Sequence, residues 1–323
     1  MFGTYNLTRS KNDAGYFTFL HNDMYIGQAI KNGKLWEPHI EFVLKNILDS
    51  NKSSINIGTH IGSHSVTMAK GSKKFYGFEP QPIIHWLMRL NLFDNGLNNF
   101  ETFNNAVGNK RGMITLSKED YWTGGKDLLY NSDINVNYGA VSIGKGGTEI
   151  EMITIDQLNI EDPISVILID VEGAEPAVFW GAKEIIKKNR PSLVFERNQR
   201  VITLEMEEIC ELTPEIKNFK IEDFVLDLNY NLPISYGDDI FLIPMPENPF
   251  FINKEFTNGW KFDGLNFNYI NRHPAKISWV KNNYLLVLFS DFSEFFFCEI
   301  QINGVLKWSN GDLWYPIEDS LTN

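Results

Sequence analysis

From Pro38 onward the apolar side chains Ile40, Val43, Leu44, Ile47 and Leu48 fall three or four positions apart, on one face of a helix. A short apolar run, Ile55-Asn56-Ile57, comes next and enters a turn bounded by Gly58 and Gly62. Val66, Met68 and Ala69 mark a helical stretch, and Phe75 to Phe78 make a second short run that ends on an acid, Glu79. Strand, glycine turn, helix, strand and terminal acid is the order of a nucleotide-binding βαβ unit. Ile84, Leu87, Met88 and Asn91 form one helical stripe closed by Asn95-Gly96, and short strands are predicted at 100–103 and 112–116. Ser165 to Ile169 is a continuous apolar run, as a parallel strand buried on both faces must be. It leads into a helix with Val178, Ala182, Ile185 and Ile186 inward and then a further buried run at 191–195. A helix over 204–212 and strands around Phe224 and at 240–243 complete the series. This alternation predicts an α/β chain with a doubly wound, mostly parallel, seven-stranded Rossmann-like sheet over residues 36–248.

Three stretches depart from that rhythm. Residues 1–35 are polar with scattered aromatics and no sustained period, and read as a loosely structured segment covering one edge or mouth of the main domain. Residues 117–148 are rich in Gly, Asn and Asp and carry Tyr121, Trp122 and Tyr138. A connection of this length usually has a function; its aromatics are either a lid that stacks on substrate or anchors of a surface loop. After 244–249 the period changes to two. Asn303-Gly304 lies between 295–302 and 305–308, a hairpin signal that, with runs at 277–280 and 284–289, predicts a small antiparallel β module over 249–323. Its many aromatics serve as a core, or as a surface for a partner or a homo-oligomer.

Charge narrows the function classes. A formal net charge of −12 argues against a nucleic-acid or anionic-lipid partner, since either needs a basic surface. Cys210 and Cys298 stand far apart with no Cys/His cluster, so neither a disulfide scaffold nor a structural zinc is expected; no His–carboxylate set has metal spacing. The first residues lack a basic-then-apolar leader, and no uncharged apolar run approaches a membrane span. A cytoplasmic location is the expectation.

The chemistry-bearing residues form an ordered set: Asn56-Ile-Gly-Thr-His-Ile-Gly62, Phe78-Glu79-Pro80, Asn91 with Asn95-Gly96, Asn105-Ala-Val-Gly108, then Ile169-Asp-Val-Glu-Gly-Ala-Glu175. In this set, with Tyr25-Ile-Gly27 and Trp36-Glu37 before it and residues 239–244 after it, the chain resembles the FkbM-type methyltransferases, a branch of the class I S-adenosylmethionine-dependent enzymes. The β module lies outside the resemblance. Asn56 stands where that family usually has Asp, His60 where it has Asn, and Leu168 where it often has Lys. The resemblance implies S-adenosylmethionine as cofactor and a hydroxyl of a sugar-containing small molecule or glycan as methyl acceptor.

Each candidate residue has a functional and a plain reading. Glu79, an acid directly after an apolar strand and at the right distance from a glycine turn, suits the two ribose hydroxyls; otherwise it is a solvated strand-end carboxylate. Gly58 and Gly62 let backbone approach a ligand, or merely close a tight βα turn. By the resemblance, Asn56 holds the amino-acid end of the cofactor and Asn105 meets the adenine edge. Asp170, Glu172 and Glu175 stand where a buried strand meets its helix, the edge at which open α/β sheets bind ligands. They supply a general base for a hydroxyl, Asp170 also holding the methionine part, or are acids favoured at a helix N-terminus. His60 and His64 are candidate bases or packed imidazoles. Two further readings stay open: a non-catalytic binding or assembly protein that keeps the fold, and a dehydrogenase, against which Ile169 to Gly173 counts.

Overall fold

The structure, a computed structural model, describes residues 5–117, 135–197, 202–230 and 238–244, together with strands of the C-terminal part between 234 and 314. Contacts divide the chain into two units, residues 1–221 and 222–323.

The first unit opens with a hairpin of β1 (Leu7–Lys11) and β2 (Tyr16–Leu20), followed by α1 (Ile26–Lys31) and α2 (Pro38–Ile47). The segment expected to be loose over 1–35 therefore holds two strands and a helix between residues 7 and 31. Its strand was hidden because β2 buries Phe17, Thr18, Phe19 and Leu20 consecutively, so no period-two alternation survives. Asn12 closes the turn, its Oδ1 accepting from Ala14 N at 3.0 Å and Gly15 N at 3.3 Å. Helix α2 buries Ile40, Val43, Leu44 and Ile47, the predicted stripe.

The chain then alternates: β3 (Ser53–Ile57), α3 (Ser65–Lys70), β4 (Phe75–Phe78), α4 (Pro82–Asp94) and β5 (Phe100–Phe103). Next, β6 (Ala106–Val107), β7 (Gly112–Ser117) and β8 (Gly146–Ile153) form a separate small sheet in the order β6-β8-β7. The strand expected at 112–116 lies here. β9 (Ile164–Ile169), α5 (Glu175–Trp180), α6 (Lys183–Asn189) and β10 (Ser192–Glu196) return to the main sheet, and α7 (Leu204–Cys210) and α8 (Pro214–Lys217) follow. Met206, Cys210 and Ile216 from those last helices pack with Ile114, Leu116 and Met152 of the small sheet.

In the main sheet of this unit the strands run parallel in the order β10-β9-β3-β4-β5. Every residue of β3 and β4 is buried, as is nearly all of β9. Side chains such as Ile55, Phe75, Phe78, Ile167 and Leu193 contribute roughly 1.5–3 kcal/mol each by leaving water. The order also fixes where a ligand can sit. From β3 the chain proceeds outward through β4 to β5, then crosses back to β9 on the other side. That reversal makes the carboxyl ends of β3 and β9 the switch point of the sheet, where open α/β folds have their crevice.

The second unit contains α9 (Ile221–Leu226), which the contact boundary cuts after its first residue. A strand was expected around Phe224; Ile221 and Val225, four apart and both buried, instead set a helical period, with Glu222 and Asp223 in the first turn. β11 (Ile234–Tyr236) pairs antiparallel with β12 (Asp239–Leu242). β13 (Lys254–Glu255), β14 (Trp260–Asp263), β15 (Asn266–Tyr269) and β16 (Arg272–Lys281) are next. β17 (Tyr284–Phe289), β18 (Phe295–Ile300), β19 (Leu306–Trp308) and β20 (Leu313–Trp314) end the chain. β13 to β20 pair antiparallel, each with the next. Cys298 of β18 faces Trp308 of β19, and both are buried. Among the described residues no helix is long and apolar enough to cross a membrane.

Candidate active site

The strand ladders run on past the strand ends and draw three predicted residues to one edge. Gly58 N and Thr59 N donate to Phe78 O at 2.9 and 3.1 Å, Glu79 N donates to Phe103 O at 3.1 Å, and Asp170 N donates to Ile57 O at 2.9 Å. Gly58, Glu79 and Asp170 therefore meet at the carboxyl edge around the switch point. Gly58 sits at φ +83°, and a Cβ there would overlap the carbonyl oxygen of Asp170. Gly62, at φ +87°, would bring a Cβ to 3.1 Å from Met88 Cγ. The glycines thus answer first to the protein's own packing, and the turn they form presents its backbone at the edge.

Glu79 is buried at that edge. Its Oε2 accepts from His60 N at 2.9 Å and its Oε1 from Gln81 N at 2.9 Å. Burial pushes its carboxyl up to about 7, against the pull of these donors. Gln81 reaches on to donate to Tyr138 O at 2.9 Å, and the Tyr138 hydroxyl donates to Asn22 Oδ1 at 3.2 Å. Tyr138 is wholly buried, so of the aromatics considered as a lid this one is an anchor; Tyr121 and Trp122 lie outside the described residues.

Asp170 is solvent-exposed at the end of β9, with protein crowded around it. Desolvation by that surrounding protein, and then the charges of Glu172, Glu196, Glu37 and Glu175, raise its pKa well above the usual carboxylate range. Glu172 follows in a left-handed conformation at φ +57°. Glu175 turns inward to the loop instead: its Oε1 accepts from Gly173 N at 3.1 Å and Val171 N at 3.4 Å. In this position it caps the loop that leads from β9 into α5.

The two histidines of the turn have opposite environments. His60, at φ +48°, is buried with neither ring nitrogen hydrogen-bonded, and burial drives its pKa down to about 3. Its Nε2 lies 3.7 Å from Asp23 Oδ2, itself a buried oxygen without a hydrogen-bond partner. Burial raises Asp23 to about 6, although Gly27 N and Tyr25 N donate to its other oxygen. His64 lies between two carboxylates, Nδ1 3.0 Å from Glu41 Oε1 and Nε2 3.1 Å from Glu37 Oε2. Burial alone would lower His64, but Glu37 and Glu41 outweigh it and lift the imidazole to about 9. Asp23, Glu37 and Glu41 were not picked out as site residues in the sequence. The only signal was that two of them fall at or beside short matches, Tyr25-Ile-Gly27 and Trp36-Glu37.

Among the asparagines, Asn56 donates Nδ2 to Ser65 Oγ at 3.2 Å, while its Oδ1 is buried without a partner. Asn105 is committed to the small sheet, its amide donating to Glu151 O at 3.1 Å. Asn91 and Asn95 are structural. Asn91 accepts from Thr18 N at 2.7 Å and donates to Thr18 O and Ile61 O at 3.0 and 2.8 Å, and Asn95 accepts from Tyr16 N and donates to Tyr16 O. Helix α4 thereby imitates a neighbouring strand for β2 and ties it to the glycine turn. Among the described residues no group of His, Cys, Asp and Glu is placed to hold a metal ion.

A parallel sheet with a glycine turn at its switch point and acids at the ends of β4 and β9, Glu79 buried and Asp170 exposed, defines a methyltransferase-like α/β fold. Residues 56–231, more than half of the chain, match the family model described as the methyltransferase FkbM domain, and the chain belongs to that family. Solved structures similar to it include methyltransferase FkbM from Methylobacillus flagellatus KT, at 15% identity and a TM-score of 0.37. That match covers 60% of this chain and only 44% of the other, so the chain spans less than half of that protein. An rRNA methylase from Streptococcus thermophilus matches at 12% identity and a TM-score of 0.35, over 64% of this chain and 95% of that one. TYW2 from M. jannaschii, in complex with AdoMet, matches at 12% and 0.34, over 75% and 85%. No curated protein matches the chain.

Proposed function

We propose that the chain is an S-adenosylmethionine-dependent O-methyltransferase whose acceptor is a hydroxyl of a sugar-containing small molecule or glycan. The observation that carries the reading is the meeting of Glu79, the Gly58–Gly62 turn and Asp170 at one sheet edge, with unpartnered buried polar atoms on Asn56, His60 and Gln81 beside them. Buried acceptors without donors are rare unless a ligand or water completes them. The residues fit the cofactor: Glu79 would accept from the ribose hydroxyls, Asn56 Oδ1 and Asp170 would hold the amino-acid part, and Gly58 and Gly62 would keep the turn clear of side chains. Asn105 contributes its backbone or amide oxygen at the adenine edge. When bound, the cofactor supplies a methyl group already activated on a sulfonium.

The protein's work is then alignment, exclusion of water and removal of one proton. Asp170 is the base in this reading, with Glu172 and His60 beside it. A carboxylate whose pKa is raised toward neutrality is better matched to a hydroxyl proton, and such a base typically adds about 10²–10⁴ in rate. The domain plan proposed with it is a segment over 1–35, a seven-stranded methyltransferase domain over 36–248 and an antiparallel module over 249–323, the last offering a homo-oligomer contact. A cytoplasmic setting accords with the free cysteines Cys210 and Cys298. Calorimetry with S-adenosylhomocysteine tests the cofactor, and mass spectrometry of glycans incubated with the enzyme and S-adenosylmethionine tests the acceptor. Folded protein that binds no S-adenosylhomocysteine overturns the proposal.

A further inference from the structure

Glu37 stands at the N-terminal end of α2 with φ 43° and ψ 68°, a left-handed conformation that is strained for any residue but glycine. His64 holds its carboxylate there through the 3.1 Å contact to Oε2. The other imidazole nitrogen lies 3.0 Å from Glu41, whose second oxygen accepts from the Thr67 hydroxyl at 2.6 Å. One imidazolium thus serves two carboxylates. Glu41 is buried against it, whereas the Glu37 side chain is 31% exposed. The Glu37 carboxylate lies in the neighbourhood of Asp170, where Glu172, Glu175 and Glu196 already crowd. Among the described residues neither Glu37 nor Asp170 is paired with a lysine or arginine.

An independent observation lies on β3. Asn56 points its amide nitrogen at Ser65, the residue after His64, and its Oδ1 is left buried without a donor. The following residue, Ile57, accepts from Asp170 N, so the orphan acceptor belongs to the strand end that is bonded to the Asp170 edge, while its own amide nitrogen reaches the helix that begins after His64. Glu37 and Asp170, neither paired with a lysine or arginine among the described residues, and an unsatisfied carbonyl oxygen on the strand beside them suit a positively charged group with several N–H donors.

We propose that Glu37, positioned by His64, binds the α-ammonium group of the cofactor's methionine part, with Asn56 Oδ1 and Asp170 as the other acceptors. The proposal rests on the S-adenosylmethionine reading and adds to it a residue and a positioning device. Two probes separate the possibilities: S-adenosylhomocysteine, and 5′-methylthioadenosine, which keeps the adenosine and thioether but lacks the amino acid. By calorimetry, Glu37→Gln and Glu37→Ala should weaken S-adenosylhomocysteine about 10- to 100-fold, as loss of a charged hydrogen bond does, while 5′-methylthioadenosine changes by less than about twofold. The second ligand also reports whether each variant keeps a folded pocket. Equal weakening of both ligands, or no weakening of either, overturns the ammonium site and leaves the cofactor reading standing. A wild-type protein that binds neither ligand overturns both.

Discussion

Replacing Glu79 by glutamine tests whether this buried carboxylate is held ready for a ligand at the expense of the fold. Its pKa is raised from 4.5 to about 7 because burial penalises the ionised form more than the His60 and Gln81 donors favour it. The sign follows from proton counting. Between pH 4.5 and 7 the native state holds a proton that the unfolded chain has released, so stability falls as pH rises through this window. At about 1.36 kcal/mol per unit, and with both states titrating, the loss between pH 5 and pH 8 is about 2–3 kcal/mol. The side chain introduced by Glu79→Gln cannot ionise, so this slope disappears in the variant. A fixed penalty appears instead: the new NH₂ group must face one of the two backbone donors, Gln81 N or His60 N, at about 1–3 kcal/mol. The offset between the proteins is therefore not the test; its change with pH is. Urea unfolding at pH 5 and pH 8 should show the variant gaining about 2–3 kcal/mol on the wild type, a comparison in which shared contributions from Asp23 and Asp170 cancel. S-adenosylhomocysteine binding should be lost at both values. A variant-minus-wild-type difference that is the same at pH 5 and pH 8 would refute the reasoning, because Glu79 would then be ionised in the fold at ordinary cost.

Other perturbations reach the neighbouring parts of the site. Gly58→Ala should abolish folding or remove several kcal/mol, since its Cβ meets the Asp170 carbonyl, whereas Gly96→Ala, at φ +74° with nothing within 4 Å, should cost only about 1 kcal/mol by thermal unfolding. Asn91→Ala leaves Thr18 N, Thr18 O and Ile61 O without partners and should cost about 2–4 kcal/mol, with hydrogen exchange rising first in β2. His64→Phe strands the buried Glu41 carboxylate and should destabilise by about 3–5 kcal/mol at pH 7. In the wild type the His64 contribution is complete below pH 6.5 and lost as pH rises through about 9, which NMR titration of the imidazole and parallel urea melts can follow.

The parts of this site that depend on local pattern could be read from the chain. A short apolar run, a glycine turn and a terminal acid bring Gly58 and Glu79 together by strand register alone, and the unbroken apolar stretch before Asp170 puts that residue at the same edge. What could not be read are pairings between distant stretches. Glu41 and Glu37 lie 23 and 27 residues from His64, and Asn91 and Asn95 reach 73 and 79 residues back to β2. The strand they clamp is buried on both faces and so carries no alternation, and the helix at Phe224 is too short for its period to stand out from two flanking acids.

The histidines show why the electrostatics are harder to read than the fold. His60 and His64 share one turn and lie four positions apart, and both are buried. Yet one imidazole is pushed to about 3 and the other to about 9. Burial acts on both in the same direction. The whole difference comes from which side chains the N-terminal segment and α2 deliver: an Asp23 oxygen beyond hydrogen-bond reach for His60, two carboxylates in direct contact for His64. A residue type at a motif position therefore specifies where a group will stand, and only the distant partner specifies its charge. His64 is consequently unsuited to accept a proton near neutral pH and suited to hold Glu37 in place, whereas His60 stays neutral until a ligand or a shift of Asp23 gives its nitrogens a partner.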